Sequence, residues 1–168
     1  SKLAIYPVGD APATTVSLND AYVSAEITGP IIDIPVQVGD AVEAGTLIVS
    51  LNCADHQLAV KQARAGFKAA KADESLANDQ LQRAKKLFRA KAGSKEVLNQ
   101  RQAQADKATA NVNSQYALLE TAKNTVSKCE IKAPFSAVVI ERIASVGEYA
   151  VPGMRLMRLL DKDQLEIN

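Results

Sequence analysis

The chain has 168 residues with a formal net charge of +1, 47% of them hydrophobic, 23% charged and 4% aromatic. That is the size of one domain or two small ones, without the charge excess or exposed rings that nucleic-acid binding uses. One histidine, His56, and two cysteines, Cys53 and Cys129, leave almost no material for a histidine-based triad or a metal centre. No run reaches the ~18 apolar residues of a membrane span, so composition leans away from catalysis and toward a non-enzymatic role.

Pro7, Pro12, Pro30 and Pro35 lie at one end, Pro134 and Pro152 at the other, and no proline falls between. The first arm reads GPIIDIPVQVGDAVEAGTLIVSL from Gly29, with short β-branched runs separated by glycine turns. Residues 54–128 hold only Gly66 and Gly93 and are rich in Ala, Lys, Gln, Leu and Arg, all strong helix formers. The second arm, APFSAVVIERIASVGEYAVPGMRLMRLL from Ala133, repeats the first. Each arm passes from a small residue and proline through a strand into Gly-acid (Gly39-Asp40, Gly147-Glu148). A further glycine (Gly45, Gly153) then opens a second apolar strand. Neither arm can bury its apolar face alone, so the copies should pair into a flattened β-sandwich. The helical insert should project from it.

The insert has a seven-residue period. Val60, Phe67, Glu74, Leu81 and Phe88 recur at that spacing, with Ala63, Ala70, Ala77 and Ala84 three residues later. Leu98, Ala105, Val112, Leu119 and Val126 do the same on the far side. This is the pattern of a coiled-coil seam, with a weak or hydrated layer expected at Glu74. The two series are mirror images about Gly93, which predicts antiparallel helices over 54–91 and 95–127 with the turn near 92–94. Phe67 should then lie near Leu119, Leu81 near Ala105, and Gly93 should supply the positive φ of the turn. Cys53 and Cys129 should be neighbours at the base, and His56 an exposed helix residue.

Split lipoyl-like halves around a long helical hairpin resemble the periplasmic adaptors (membrane fusion proteins, HlyD-like) of bacterial tripartite efflux pumps. The likeness covers about residues 20–165. Arg83-x3-Leu87-x6-Ser94 matches the tip motif by which members of that family dock on an outer-membrane channel. IKAPFSAVV (Ile131–Val139) resembles the stretch that re-enters the lipoyl fold, with Ser136-Ala137 where Asp-Gly is common. The implied fold is α+β: a lipoyl-like sandwich from two separated halves (21–53 and 129–161) with an antiparallel coiled-coil hairpin (54–128) between them. Residues 1–20 and 162–168 would be the edges of an adjoining β-barrel domain.

The resemblance further implies an inner-membrane transporter of resistance–nodulation–division or ABC type, an outer-membrane channel and a homo-oligomer in the assembled pump, with no nucleic acid. It implies a periplasmic protein held at the inner membrane by an anchor outside this chain, and neither cofactor nor metal. An oxidising periplasm would permit a Cys53–Cys129 disulfide; the alternative is two small buried apolar side chains. Arg83, Leu87 and Ser94 also have plain structural readings, Ser94 as the cap of the second helix. The basic tip (Arg83, Lys85, Lys86, Arg89, Lys91, Lys95, Arg101 against Glu96) is either a solvated face or a surface that steers an acidic partner. A biotinyl or lipoyl carrier domain is the rival reading, but its modified lysine would sit on a tight turn where this chain has helix. A purely structural coiled coil would leave the repeated arms unexplained.

Overall fold

Glycine turns set the architecture of the β arms, and the two copies use the same hydrogen bonds. Gly39 and Gly147 adopt φ of 95° and 94°, a left-handed conformation that side chains with a Cβ resist. The following acid closes each turn: Asp40 accepts from the Gln37 amide at 2.8 Å, Glu148 from the Ser145 amide at 3.0 Å. Gly45 and Gly153, both with φ of 86°, donate to the carbonyls of Ala133 and Ala25. Each of these bonds ties one arm to the other.

The computed structural model describes residues 15–17, 20–162 and 165–167. It divides into two compact units, the β arms together and residues 52–129. In the first unit the strands are β2 (Asp20–Ser24), β3 (Gly29–Asp33), β4 (Ala41–Val42) and β5 (Leu47–Leu51) from the first arm. The second arm supplies β6 (Glu130–Lys132), β7 (Ala137–Arg142), β8 (Tyr149–Ala150) and β9 (Arg155–Asp161). They form two four-stranded sheets, ordered β2-β9-β7-β4 and β6-β5-β3-β8. Each sheet takes two strands from each arm, so neither arm has a complete sheet of its own. Ile31, Ile48, Leu156, Met157 and Leu159 are fully buried among these strands. On β2, Asp20 forms a bidentate ion pair with Arg158 of β9, which holds its carboxyl below the usual carboxylate range.

The expected barrel edges lie partly outside the described residues. Of them, Thr15–Ser17 (β1) and Leu165–Ile167 (β10) pair antiparallel as a separate two-stranded sheet.

The second unit is a pair of helices, α1 (Ala54–Arg89) and α2 (Lys95–Ser127). At 36 residues α1 is about 54 Å long. Asp55 in its first turn and Lys86 and Arg89 in its last complement the helix dipole. The Phe67 ring packs tilted against Tyr116 with centroids 5.6 Å apart, Glu74 accepts from the Thr109 hydroxyl at 3.0 Å, and Arg101 donates to Gln80 at 2.9 Å. As the α1 partner advances the α2 partner retreats, so the helices are antiparallel. Ala70, Leu81 and Ala84 of α1 and Ala105, Val112 and Leu119 of α2 are buried, all members of the seven-residue series.

Four details depart from the mirror pattern. The cross-helix pairs centre slightly ahead of Gly93, because α1 ends at Arg89 rather than at residue 91. Phe67 accordingly meets Tyr116, one turn before Leu119. Phe88 is 41% exposed rather than part of the seam, since α2 begins only at Lys95 and leaves too little facing helix to cover the ring. The Glu74 layer is bridged directly: Lys71 and Thr109 both donate to its carboxylate and hold it below the ordinary value. A depressed carboxyl stabilises the fold at neutral pH, and that contribution disappears as acid protonates it.

At the far end of the pair Cys53 and Cys129 are joined as a disulfide, with Cα atoms 6.1 Å apart. His56, near by in sequence, is half-buried rather than exposed.

Two measurements test this unit. Leu119→Ala should cost about 2–5 kcal/mol by chemical denaturation, as for a closed core site. Its neighbour Leu118, 54% exposed, should tolerate alanine within about 0.5 kcal/mol. Equal costs would mean that Leu119 faces solvent. Unreduced protein should show no titratable thiol, and reduction should remove about 4.5 kcal/mol, the chain-entropy value for a crosslink of this span. Two free thiols before reduction would contradict the bridge.

Candidate functional site at the helical turn

The turn between α1 and α2 gathers the residues that the sequence singles out. It closes α1 with a reciprocal pair of backbone bonds, Lys91 N–H to Phe88 carbonyl at 3.0 Å and Ala92 N–H to Leu87 carbonyl at 2.9 Å. This is the Schellman arrangement, whose pivot residue is left-handed. The pivot is Lys91, with φ of 57°, and not Gly93 as expected. Gly93 sits in a tight space instead. A Cβ there would sit 3.3 Å from the Leu87 Cβ and from the Phe88 backbone nitrogen. The sequence pointed to the right glycine for the wrong reason.

Ser94 then starts α2 from an extended conformation, and its hydroxyl accepts from the Val97 N–H at 3.2 Å. This satisfies one of the amides that a helix start leaves unpaired. Arg83 and Leu87, four residues apart, lie one above the other on α1. Leu87 is 53% exposed.

Arg83 and Leu87 share a groove of about 370 Å³ with Gln80, Ala84, Val97 and Arg101. The structure therefore brings Arg83 and Leu87 together, while Ser94, occupied in capping, does not line the groove. Val97 and Arg101 join it from the other helix. Arg101 is half-buried and donates through one guanidinium nitrogen to Gln80 at 2.9 Å and Gln104 at 2.7 Å. Val97 had no sequence signal beyond its place in the first turn of a capped helix. The groove position of Arg101 was hidden because it depends on where the two helices align.

Around the groove, Arg83, Lys86, Arg89, Lys91 and Lys95 are exposed. Among the described residues none of them forms an ion pair. Among the described residues there is also no cluster of potential metal ligands, and no helix is long and apolar enough to cross a membrane.

The tip geometry predicts two stability changes measurable by denaturation. Lys91→Gly should stabilise by about 0.5–1 kcal/mol, because relief of the left-handed strain exceeds the backbone entropy of glycine. Gly93→Ala should destabilise, because the Leu87 Cβ and the Phe88 backbone nitrogen, neither of them a flexible side-chain end, must shift to admit the new methyl. Destabilisation by Lys91→Gly would show that the pivot does not lie at Lys91.

No family model matches the chain. The nodulation protein NolF of Rhizobium meliloti (strain 1021) is 28% identical over 145 residues, 86% of this chain and 40% of that protein. The chain spans less than half the length of the curated relatives it matches. A membrane fusion protein from Streptococcus pneumoniae R6 superimposes with a TM-score of 0.69 at 20% identity, covering 92% of this chain and 64% of the other. MacA from Actinobacillus actinomycetemcomitans gives 0.65 at 23% identity, covering 92% and 53%. The chain thus resembles membrane fusion and periplasmic adaptor proteins, and it has their fold.

Proposed function

We propose that this chain is the lipoyl-like and hairpin portion of a periplasmic adaptor in a tripartite efflux or secretion pump. It is a non-enzymatic part, held at the inner membrane through a segment outside this chain. It works beside a transporter of resistance–nodulation–division or ABC type, and its coiled-coil hairpins pack side by side in a homo-oligomer. The hairpin tip docks on the outer-membrane channel through Arg83, Leu87 and Ser94.

The observation that carries this reading is the groove at the turn. It presents an exposed leucine and a free guanidinium side by side, in a chain that has the fold of adaptor proteins. An aliphatic side chain left half in water contributes little to its own fold, and beside it the arginine supplies a fixed fork of donors for a partner's carbonyls or carboxylates. Ser94 serves the site indirectly by fixing the first turn of α2, and so the place of Val97. The oxidising compartment agrees with the Cys53–Cys129 bridge. The paired β1 and β10 are in keeping with an adjoining β-barrel.

A carrier domain is disfavoured by the same topology. The connection between the two β arms is the helix pair itself, with no tight turn to display a lysine.

Substitution at the tip separates docking from folding. Arg83→Ala and Leu87→Ser should each leave stability within about 0.5 kcal/mol of wild type, as for surface changes. Both should abolish export by cells that carry the full-length protein at normal levels. Undiminished export by both variants would refute the tip as the docking site.

A further inference from the structure

The groove has a chemistry that the three motif residues do not describe. Its floor is Ala84, which is buried, and its apolar walls are Leu87 from α1 and Val97 from α2, 53% and 46% exposed. Two guanidinium groups flank it, Arg83 on one helix and Arg101 on the other. Arg101 is not a free surface cation. Its bonds to Gln80 and Gln104 occupy the two protons of one terminal nitrogen and fix the plane of the group. Its remaining N–H donors have no partner among the described residues. A guanidinium held in this way loses little entropy when it binds a carboxylate, and its fork matches two oxygens at once.

The surroundings carry one sign of charge. Lys85, Lys86, Arg89, Lys91 and Lys95 crowd the turn with Glu96 as the lone acid, and among the described residues no ion pair neutralises them. A second copy of the same tip would be repelled. An anionic partner would be drawn in and oriented before contact.

We infer that this groove is a socket for an acidic segment of the partner protein: an aliphatic side chain seats on Ala84 between Leu87 and Val97, and an adjacent carboxylate is bound by Arg83 and Arg101. The inference rests on the docking reading above and adds Val97 and Arg101 as specificity-determining residues. A concave apolar floor with paired guanidinium groups suits a side chain and a carboxylate better than the flat headgroup layer of a membrane.

The test is binding of the purified protein to the purified outer-membrane channel that supports its export, measured in detergent at low and high salt. Val97→Ser and Arg101→Gln should each weaken binding about tenfold, which corresponds to about 1.4 kcal/mol for each lost contact. Added salt should weaken wild type more than Arg101→Gln, because exposed charge pairs are screened. If Arg101 only braces the helices, its variant will lose affinity with the salt dependence unchanged, which overturns the carboxylate assignment. Val97→Ser leaves the Arg101–Gln80 bond between the helices in place, and its melting temperature, measured beside the binding, separates a lost contact from a loosened helix pair. Wild-type binding by Val97→Ser and Arg101→Gln, with loss in Arg83→Ala and Leu87→Ser, would overturn the socket and leave tip docking standing. Wild-type binding by all four would remove both. Binding to phosphatidylglycerol vesicles that needs the same four residues would also overturn it, in favour of a lipid surface.

Discussion

A pair of helices without a third layer can bury only one narrow stripe on each, and in the helical unit everything else follows from that limit. The stripe here is built from alanines, leucines and valines at seven-residue spacing, with Ala70, Leu81, Ala84, Ala105, Val112 and Leu119 buried. Small residues let the helices approach, but they bury little area each, so the hydrophobic term per turn is modest. The seam is supplemented by directional contacts that fix its register. Glu74 with Thr109 and Arg101 with Gln80 each fit one alignment of the helices, whereas an alanine stripe alone fits several. The disulfide between Cys53 and Cys129 adds a covalent limit at the opposite end from the turn.

The β arms meet a different version of the same problem. Each arm carries strands whose partners lie on the other, and the sheets are completed only by interleaving. β5 and β6 are neighbours, so the chain leaves for the helical insert and returns from it on adjacent strands. An insertion at that point interrupts no ladder, which explains how a long helix pair can separate two halves of one β unit. The matching turns at Gly39 and Gly147 show that both halves reach their geometry by the same device.

Because the seam spends its apolar residues inward, the aliphatic groups that remain outside stand out. Leu87 and Val97 flank one groove, and Arg83 and Arg101 provide its charge. The turn supplies the geometry. Its left-handed pivot at Lys91 and the close approach of Gly93 to Leu87 hold the end of α1 against the start of α2. The groove's mixture of aliphatic and guanidinium groups is therefore a by-product of how the helix pair is closed.

Much of this was legible from residue order. Helix propensity and the absence of proline marked the insert, the seven-residue series named the buried positions, and the repeated Gly-acid turns announced two equivalent arms. Those signals are local or periodic, and local sterics and burial act on them directly. What sequence could not settle was alignment. The offset of Phe67 toward Tyr116, the exposure of Phe88, the pivot at Lys91 rather than Gly93 and the partnership of Arg101 with Gln80 all depend on where one helix stops against the other. The periodicity names the face that each helix buries, but a shift of one helix along the other keeps that face inward while moving every cross-helix contact. The sequence by itself determined which faces are buried, and only the tertiary structure decided which residues meet across them.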